Sequence, residues 1–101
     1  MRTLGILLTT SPESENTHTA IRLAEAALAQ GVGVRVFVMC DGVYNLNQPE
    51  FMSLAQKGAS IAVCAHNANE RSVIEKPGVV WGGQYDLAAN VSECDRFLSF
   101  N

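Results

Sequence analysis

The sequence predicts an α/β fold built on a mainly parallel sheet with both faces covered. Short apolar runs alternate with longer stretches of helical character along the whole chain. The run Val32–Met39 has apolar residues on both of its alternating faces, which is typical of a strand buried on both sides. Strands that alternate with helices in this way form βαβ units and a parallel sheet.

The first two predicted elements are a strand and a long helix. The strand is Thr3–Thr9, in which Gly5 permits a close approach of the backbone. The helix runs from about Glu15 to Gln30, with Ser14 or Asn16 as its N-cap. Its apolar face consists of Ala20, Ile21, Ala24, Ala27 and Leu28. Gly31 and Gly33 bracket the end of this helix, and the strand predicted over Val32–Met39 follows.

The middle of the chain contains a predicted loop, a short helix and a buried strand. Turn-forming residues predict a long loop over Asp41–Pro49, followed by a short helix over Glu50–Gln56. Ile61, Ala62 and Val63 then form an apolar run that ends at Cys64. We expect Cys64 to lie at the carboxyl end of a strand, where open α/β sheets bind ligands.

The helix predicted after Cys64 is shorter and depends on a capping pattern. Asn67 is its expected N-cap, and Glu70 three residues later resembles the second residue of a capping box. This helix is expected to reach about Glu75, where Lys76-Pro77-Gly78 stops it.

The remaining elements complete one domain over residues 1–101. A short strand is predicted at Val79–Trp81, a helix at Gln84–Val91 and a last strand at Asp95–Phe100. No repeat, linker or low-complexity tract divides the sequence, which favours a single domain.

The composition restricts the environment and the kinds of partner. Hydrophobic residues make up 48% and charged residues 17% of 101 residues, so a chain this small should bury apolar surface in an oligomer. The net charge of -3 and the absence of a basic run argue against nucleic-acid binding. The apolar run Leu4–Leu8 is too short for a signal peptide or a membrane span, so we expect a cytoplasmic protein that does not enter membranes.

The three cysteines do not form a disulfide framework. Their number is odd, their spacing is wide and no CxxC motif occurs, so reduced thiols are expected. Cys64 and His66 could supply two metal ligands, but zinc sites need three or four from the protein. We therefore expect neither a metal nor another cofactor.

Two interpretations of Cys64 follow from its position. A helix that begins just beyond it would lower the pKa of its thiol from about 8.5 and make it a nucleophile. The alternative is an inert buried cysteine that serves only for packing. His66 is either a base for this thiol or a surface histidine. Cys40 and Cys94 precede Asp41 and Asp95, whose negative charge disfavours a thiolate, so a structural role is expected for both.

Three segments resemble the DsrE/TusD-like (DsrEFH) sulfur-relay family. The segment Gly42–Gln48 resembles its GVYNxNQ loop, and the strand ending in Cys64 resembles the strand that presents its sulfur-accepting cysteine. The segment Cys94–Phe97 resembles its CDRV-like final strand. This resemblance implies a three-layer α/β/α fold with a mainly parallel five-stranded sheet.

The same resemblance implies a sulfurtransferase-like carrier that holds a persulfide on Cys64. The residues expected to line its pocket are Tyr44, Asn45, Asn47, His66 and Asn67. The implied partners are a sulfur donor or acceptor protein. The implied assembly is a homotrimer, a homohexamer or a hetero-oligomer with related subunits.

Two other functions stay open at this stage. One is a non-catalytic assembly subunit of the same fold whose thiol is idle. The other is a small α/β module that binds a small ligand or a nucleotide, although no GxGxxG or P-loop motif occurs in the sequence.

Overall fold

A computed structural model describes residues 2–101 and contains one five-stranded sheet. The strands are β1 (Thr3–Leu8), β2 (Gly33–Val38), β3 (Ser60–Cys64), β4 (Val79–Gly82) and β5 (Arg96–Phe100). Their order across the sheet is β4-β3-β2-β1-β5, and each neighbouring pair is parallel. The predicted α/β fold with a parallel five-stranded sheet is confirmed.

Four α-helices and one 3₁₀ helix connect these strands. The α-helices are α1 (Glu15–Ala29), α2 (Pro49–Gln56), α3 (Ala65–Glu70) and α4 (Gln84–Glu93). Ser14 caps α1, because its hydroxyl accepts a hydrogen bond from the backbone N–H of Asn16 at 3.2 Å. Across residues 2–101, none of the helices is long and apolar enough to span a bilayer.

The loop predicted for Asp41–Pro49 is wrong, because Cys40–Asn47 forms a 3₁₀ helix and α2 already begins at Pro49. Val43 and Leu46 are three residues apart, which matches the three residues per turn of a 3₁₀ helix. Both side chains are buried in the core. Burial of this pair therefore outweighs the turn preferences of the polar residues around it.

The direction of the chain connections places the helices unequally on the two faces of the sheet. The steps from β1 to β2, β3 and β4 all move one strand in the same direction, and parallel crossovers are right-handed. Their connections therefore lie on one face, which we call the crowded face. The return from β4 to β5 crosses the sheet in the opposite direction, so α4 lies on the other face, which we call the open face.

The buried side chains divide in the same way. Strand residues such as Ile6, Val36 and Val63 pack on the crowded face with residues of α1, α2 and the 3₁₀ helix. On the open face, Phe37, Ala62 and Cys64 form a separate buried cluster, against which partly buried apolar side chains pack. These are Leu7, Met39 and Leu87. A single helix of 10 residues thus covers the open face, and Val80 on β4 stays 50% exposed there.

Two glycines permit close packing that a side chain would prevent. A Cβ atom on Gly5 would lie 2.6 Å from the Phe97 ring, which confirms the close approach expected at this position. A Cβ atom on Gly42 would overlap the backbone carbonyl of Leu8. Gly42 therefore lets the 3₁₀ helix pack directly against the end of β1.

We predict that Gly42→Ala destabilises the fold by about 1–3 kcal/mol, because the added methyl group meets backbone that cannot move independently. Chemical denaturation monitored by circular dichroism would measure this loss. Gly83→Ala is the matched control, since a Cβ atom there meets no atom within 4 Å. Its cost should stay below about 1 kcal/mol, and equal losses in the two variants would contradict the packing argument.

The start of β1 is joined to the start of β5 by Asp95. Its carboxylate accepts hydrogen bonds from the backbone N–H of Thr3 at 2.8 Å and from the Thr3 hydroxyl at 3.2 Å. The backbone N–H of Asp95 donates to the Thr3 carbonyl at 3.0 Å. The hydrogen bonds from Thr3 lower the pKa of the Asp95 carboxyl below its usual value of 3.8.

We predict that Asp95→Asn lowers the stability at neutral pH and that this difference disappears in acid. A carboxyl whose pKa is lowered by folding stabilises the folded state above its usual pKa of 3.8. That contribution is lost as the pH falls through the lowered value. Urea unfolding of both proteins between about pH 7 and about pH 2 would test this. A difference that stays constant over this range would contradict it.

Candidate functional site

Cys64 ends β3 and is itself the N-cap residue of α3. Its side chain belongs to the open-face cluster, and the residue is 7% exposed. The predicted N-cap at Asn67 is wrong, because the N-cap is Cys64, three residues earlier, and α3 begins at Ala65. Asn67 lies within α3, where its side chain is hydrogen-bonded to a different segment of the chain.

The predicted end of this helix near Glu75 is also wrong, since α3 ends at Glu70. Ser72 adopts a positive φ of 58°, and the N–H of Val73 donates back to the Ala68 carbonyl at 2.9 Å. Both Val73 and Ala68 are buried in the crowded-face core. Burial of Val73 therefore ends the helix one turn earlier than the Lys76-Pro77-Gly78 signal suggests.

The topology places a crevice next to Cys64. The chain leaves β3 toward α3 on the crowded face, whereas it leaves β4 toward α4 on the open face. Ligands of open α/β sheets bind where neighbouring strands send their connections to opposite faces. Cys64 and Gly82 are paired residues at the ends of these two strands. Cys64, at the end of β3, therefore lies directly at this crevice.

Asp86 lies at the same crevice, and the sequence analysis missed it. A Cβ atom on Gly82 would overlap the Asp86 carboxylate, so this carboxylate occupies the space above the strand residue paired with Cys64. It also accepts a hydrogen bond from the Gly83 N–H at 2.9 Å. The available signal was an acidic residue at the third position of a helix that follows two glycines.

Asn67 connects α3 to the 3₁₀ helix. Its side-chain oxygen accepts a hydrogen bond from the backbone N–H of Cys40 at 2.8 Å, and its amide nitrogen donates to Glu70 at 3.2 Å. Cys40 has a φ of 52°, in the left-handed region that residues other than glycine seldom occupy. The predicted site residue Asn67 thus lies near the end of β3 and holds the start of the 3₁₀ helix there.

Arg71 makes a second connection between the same two segments. Its Nε donates to the Asp41 carboxylate at 3.0 Å, and its Nη1 donates to the Asn67 carbonyl at 3.3 Å. The hydrogen bond with Asp41 raises the pKa of the Arg71 guanidinium, which stays charged. Nothing in the sequence around Arg71 marked it as part of the site, because its partner lies 30 residues away.

His66 has a partner other than the thiol. Its Nε2 lies 3.4 Å from a carboxylate oxygen of Glu70, one turn further along α3, and its side chain is largely exposed. The surface interpretation of His66 therefore matches its position better than the interpretation as a base for Cys64.

The three predicted site residues of the 3₁₀ helix have different environments. Asn45 is 1% exposed, and its amide donates to the carbonyls of Thr10 at 3.1 Å and Gly42 at 3.0 Å. Its Oδ1 is buried without a hydrogen-bond partner among the described residues. Asn45 therefore fixes the 3₁₀ helix to the loop after β1, whereas Tyr44 and Asn47 are exposed.

Other cavities and ligand sets lie away from Cys64. A cleft of about 440 Å³ opens at the opposite edge of the sheet, between the starts of β1 and β5, and is lined by Arg2, Leu4 and Arg96 among others. Within residues 2–101, no cluster of three or more His, Cys, Asp or Glu side chains could hold a metal ion.

Comparison with known proteins gives archaeal relatives and bacterial structural neighbours. An uncharacterized protein of Methanocaldococcus jannaschii, MJ0989, is 29% identical over 94% of this chain and 96% of its own length. An uncharacterized protein of Methanopyrus kandleri, MK0008, is 29% identical over 85% of this chain and 83% of its own length.

Two solved structures share the fold. The YchN protein of Escherichia coli superposes with a TM-score of 0.81 at 23% identity, over 99% of this chain and 100% of its own. The conserved protein of unknown function BT1422 from Bacteroides thetaiotaomicron gives a TM-score of 0.77 at 18% identity, over 96% of this chain and 93% of its own. The model of the DsrE/DsrF-like family matches residues 2–100. The chain therefore belongs to the DsrE/DsrF-like family.

Proposed function

We propose that this protein is a sulfur carrier that accepts and passes on persulfide sulfur through Cys64. Membership of the DsrE/DsrF-like family suggests a role related to sulfur relay. The observation that carries the finer proposal is the position of Cys64 at the end of β3, at the crevice where α3 and α4 leave to opposite faces.

The proposed reaction is two thiol exchanges. The Cys64 thiolate attacks the outer sulfur of a persulfide on a donor protein, so the donor S–S bond breaks and the donor leaves as a thiolate. Cys64 then carries the sulfur as a persulfide. An acceptor thiolate attacks that outer sulfur and releases Cys64 as a thiolate, so no external oxidant, metal or cofactor is required.

Two features of the crevice support this chemistry. Gly82, the residue paired with Cys64 on β4, has no side chain, and the Asp86 carboxylate occupies the place that a Cβ atom would take there. Backbone N–H groups at the beginnings of α3 and α4 flank the same place, and such groups favour negative charge. The Asp86 carboxylate opposes this effect and could receive the proton that the thiol loses.

A non-catalytic assembly subunit is the second candidate, and one observation favours it. Cys64 is 7% exposed and packs with Phe37 and Ala62, which is the environment of an inert structural cysteine. The two candidates differ in whether a sulfur donor can reach the thiol. Reactivity of Cys64 in the folded protein separates them.

We predict that a persulfide donor adds one sulfur atom to Cys64 and that a reductant removes it. Mass spectrometry of the intact protein and of its peptides would locate the adduct. Cys64→Ser should abolish the adduct and leave the circular dichroism spectrum unchanged, since the substitution alters little volume. Cys94→Ser is the matched control and should keep the adduct, because Cys94 packs near Gly5 at the start of β1.

Equal labelling of all three cysteines would contradict the sulfur-carrier proposal. So would an adduct that persists in Cys64→Ser. Either result would favour the assembly subunit.

We also propose that the chain assembles with copies of itself through the open face. The apolar sequence of the last strand makes Phe97, Leu98 and Phe100 candidates for this contact, but of these three only Leu98 is exposed. Val80 is 50% exposed, and Tyr85 at the beginning of α4 is 84% exposed. A charge-poor chain that leaves Val80 and Tyr85 exposed is suited to a subunit contact.

We predict that the protein sediments as an oligomer at micromolar concentration and that Tyr85→Lys shifts it toward the monomer. The new charge would have to be desolvated inside the contact. Ile74→Lys is the control, because Ile74 is exposed in the segment between α3 and β4, away from the open face, and its replacement should leave the assembly intact. Sedimentation velocity would measure both variants. A monomeric parent protein would contradict the proposal.

A further inference from the structure

The fold brings a second cysteine close to Cys64. β2 and β3 are neighbouring parallel strands, and Val38 is the register partner of Val63. Cys64 is the next residue on β3, and Cys40 lies two residues beyond Val38. Met39, which lies between Val38 and Cys40, is still extended, with a φ of -147° and a ψ of 174°. With the usual spacings of strands and residues, the two Cα atoms are about 6 Å apart.

This separation suits a covalent link between the two side chains. The Cα atoms of disulfide-bonded cysteines are usually about 4.4–6.8 Å apart. Met39 packs against the cluster that contains Cys64, so the chain entering Cys40 is held beside the end of β3. Cys94, in contrast, lies next to Gly5 and the Phe97 ring, with its Sγ 3.1 Å from the Cβ position of Gly5.

Asn67 of α3, the helix that Cys64 caps, fixes the conformation of Cys40. Its left-handed φ of 52° is unfavourable for a residue with a Cβ atom. The hydrogen bond from its N–H to the Asn67 side chain at 2.8 Å offsets this cost. Asn67 lies three residues after Cys64, so the same short helix that starts at one cysteine positions the other.

The charge next to Cys40 is compensated. The sequence predicts a structural role for Cys40, because the negative charge of Asp41 would repel a thiolate. In the folded chain, the Asp41 carboxylate accepts a hydrogen bond from Arg71 at 3.0 Å, which places a guanidinium against it. The negative charge of Asp41 is therefore no longer a reason to exclude a reactive Cys40.

We infer that Cys40 is a resolving thiol for the persulfide on Cys64, an inference that rests on the proposed sulfur-carrier function. When no acceptor is bound, the Cys40 thiol gives its proton to solvent and its sulfur attacks the Cys64 Sγ. A Cys40–Cys64 disulfide bond forms, and the bond from Cys64 Sγ to the outer sulfur breaks. The outer sulfur leaves with the electron pair as hydrosulfide, so two thiol sulfurs are oxidised and the sulfane sulfur is reduced.

The test follows the persulfide after excess donor has been removed. In the parent protein and in Cys94→Ser, the adduct should give way to a linked Cys40–Cys64 peptide and one equivalent of hydrosulfide. In Cys40→Ser, the adduct should persist about tenfold longer or more, because the intramolecular thiol is gone. Mass spectrometry and a sulfide assay measure both products.

Two negative results have different meanings. Equal adduct lifetimes in the parent and Cys40→Ser, without a linked peptide, would overturn the role of Cys40 and leave Cys64 as a carrier. Absence of any adduct on Cys64 in both proteins would overturn the carrier function itself, and the resolving step with it.

A bifunctional thiol reagent tests the pairing without sulfur donor. Dibromobimane fluoresces when it joins two neighbouring thiols, so the parent and Cys94→Ser should become fluorescent and Cys40→Ser should not. Fluorescence that needs Cys94 instead would overturn the pairing.

Asn67→Ala should slow disulfide formation, and Asn67→Asp, which keeps an oxygen acceptor for the Cys40 N–H, should restore it. Equal rates of disulfide formation in Asn67→Ala and Asn67→Asp would show that Asn67 does not position Cys40.

Discussion

The site depends on one constraint, the opposite directions in which the chain leaves β3 and β4. Right-handed crossovers place three connections on the crowded face while the strand order runs one way, and the return to β5 forces α4 onto the other face. Within residues 2–101, the only neighbouring strand ends between which the connections diverge in this way are therefore those of β3 and β4. Cys64 occupies one of them and Gly82 the other. The chemistry that this protein can perform is in this sense a consequence of strand order.

The sequence predicted most of the fold, because its signals there are local. Every strand and α-helix of residues 2–101 overlaps its predicted range, and glycine or proline lies near the ends of α1, α2 and α4. The 3₁₀ helix was missed for a physical reason. Asp41, Gly42 and Asn45 are common turn residues. The burial of Val43 and Leu46 that makes the segment helical depends on distant strands.

The site was predicted less well, because its contacts join residues that are distant in sequence. The position of Cys64 at a strand end followed from its apolar run, but its degree of burial depends on Leu87 and Phe37 from other elements. Asn67 was selected for the wrong reason, since its side chain holds Cys40 instead of capping its own helix. Asn45 was expected in the pocket, yet it holds the loop after β1. No pattern within one element encodes such pairings.

The burial of Cys64 and the exposed side chains of the open face both determine how a partner protein can reach the thiol. Cys64 is 7% exposed, so its thiol cannot meet a protein-bound persulfide unless the covering side chains move or the partner inserts into the crevice. Two large hydrophobic side chains of β4 and α4, the elements on one side of that crevice, are exposed, Val80 and Tyr85. Any protein that covers them, a donor, an acceptor or a second copy, also covers the entrance to Cys64. The proposed assembly through the open face would therefore be coupled to access to the thiol. For the protein to act as a carrier, a copy bound there must either leave the crevice open or supply part of its wall.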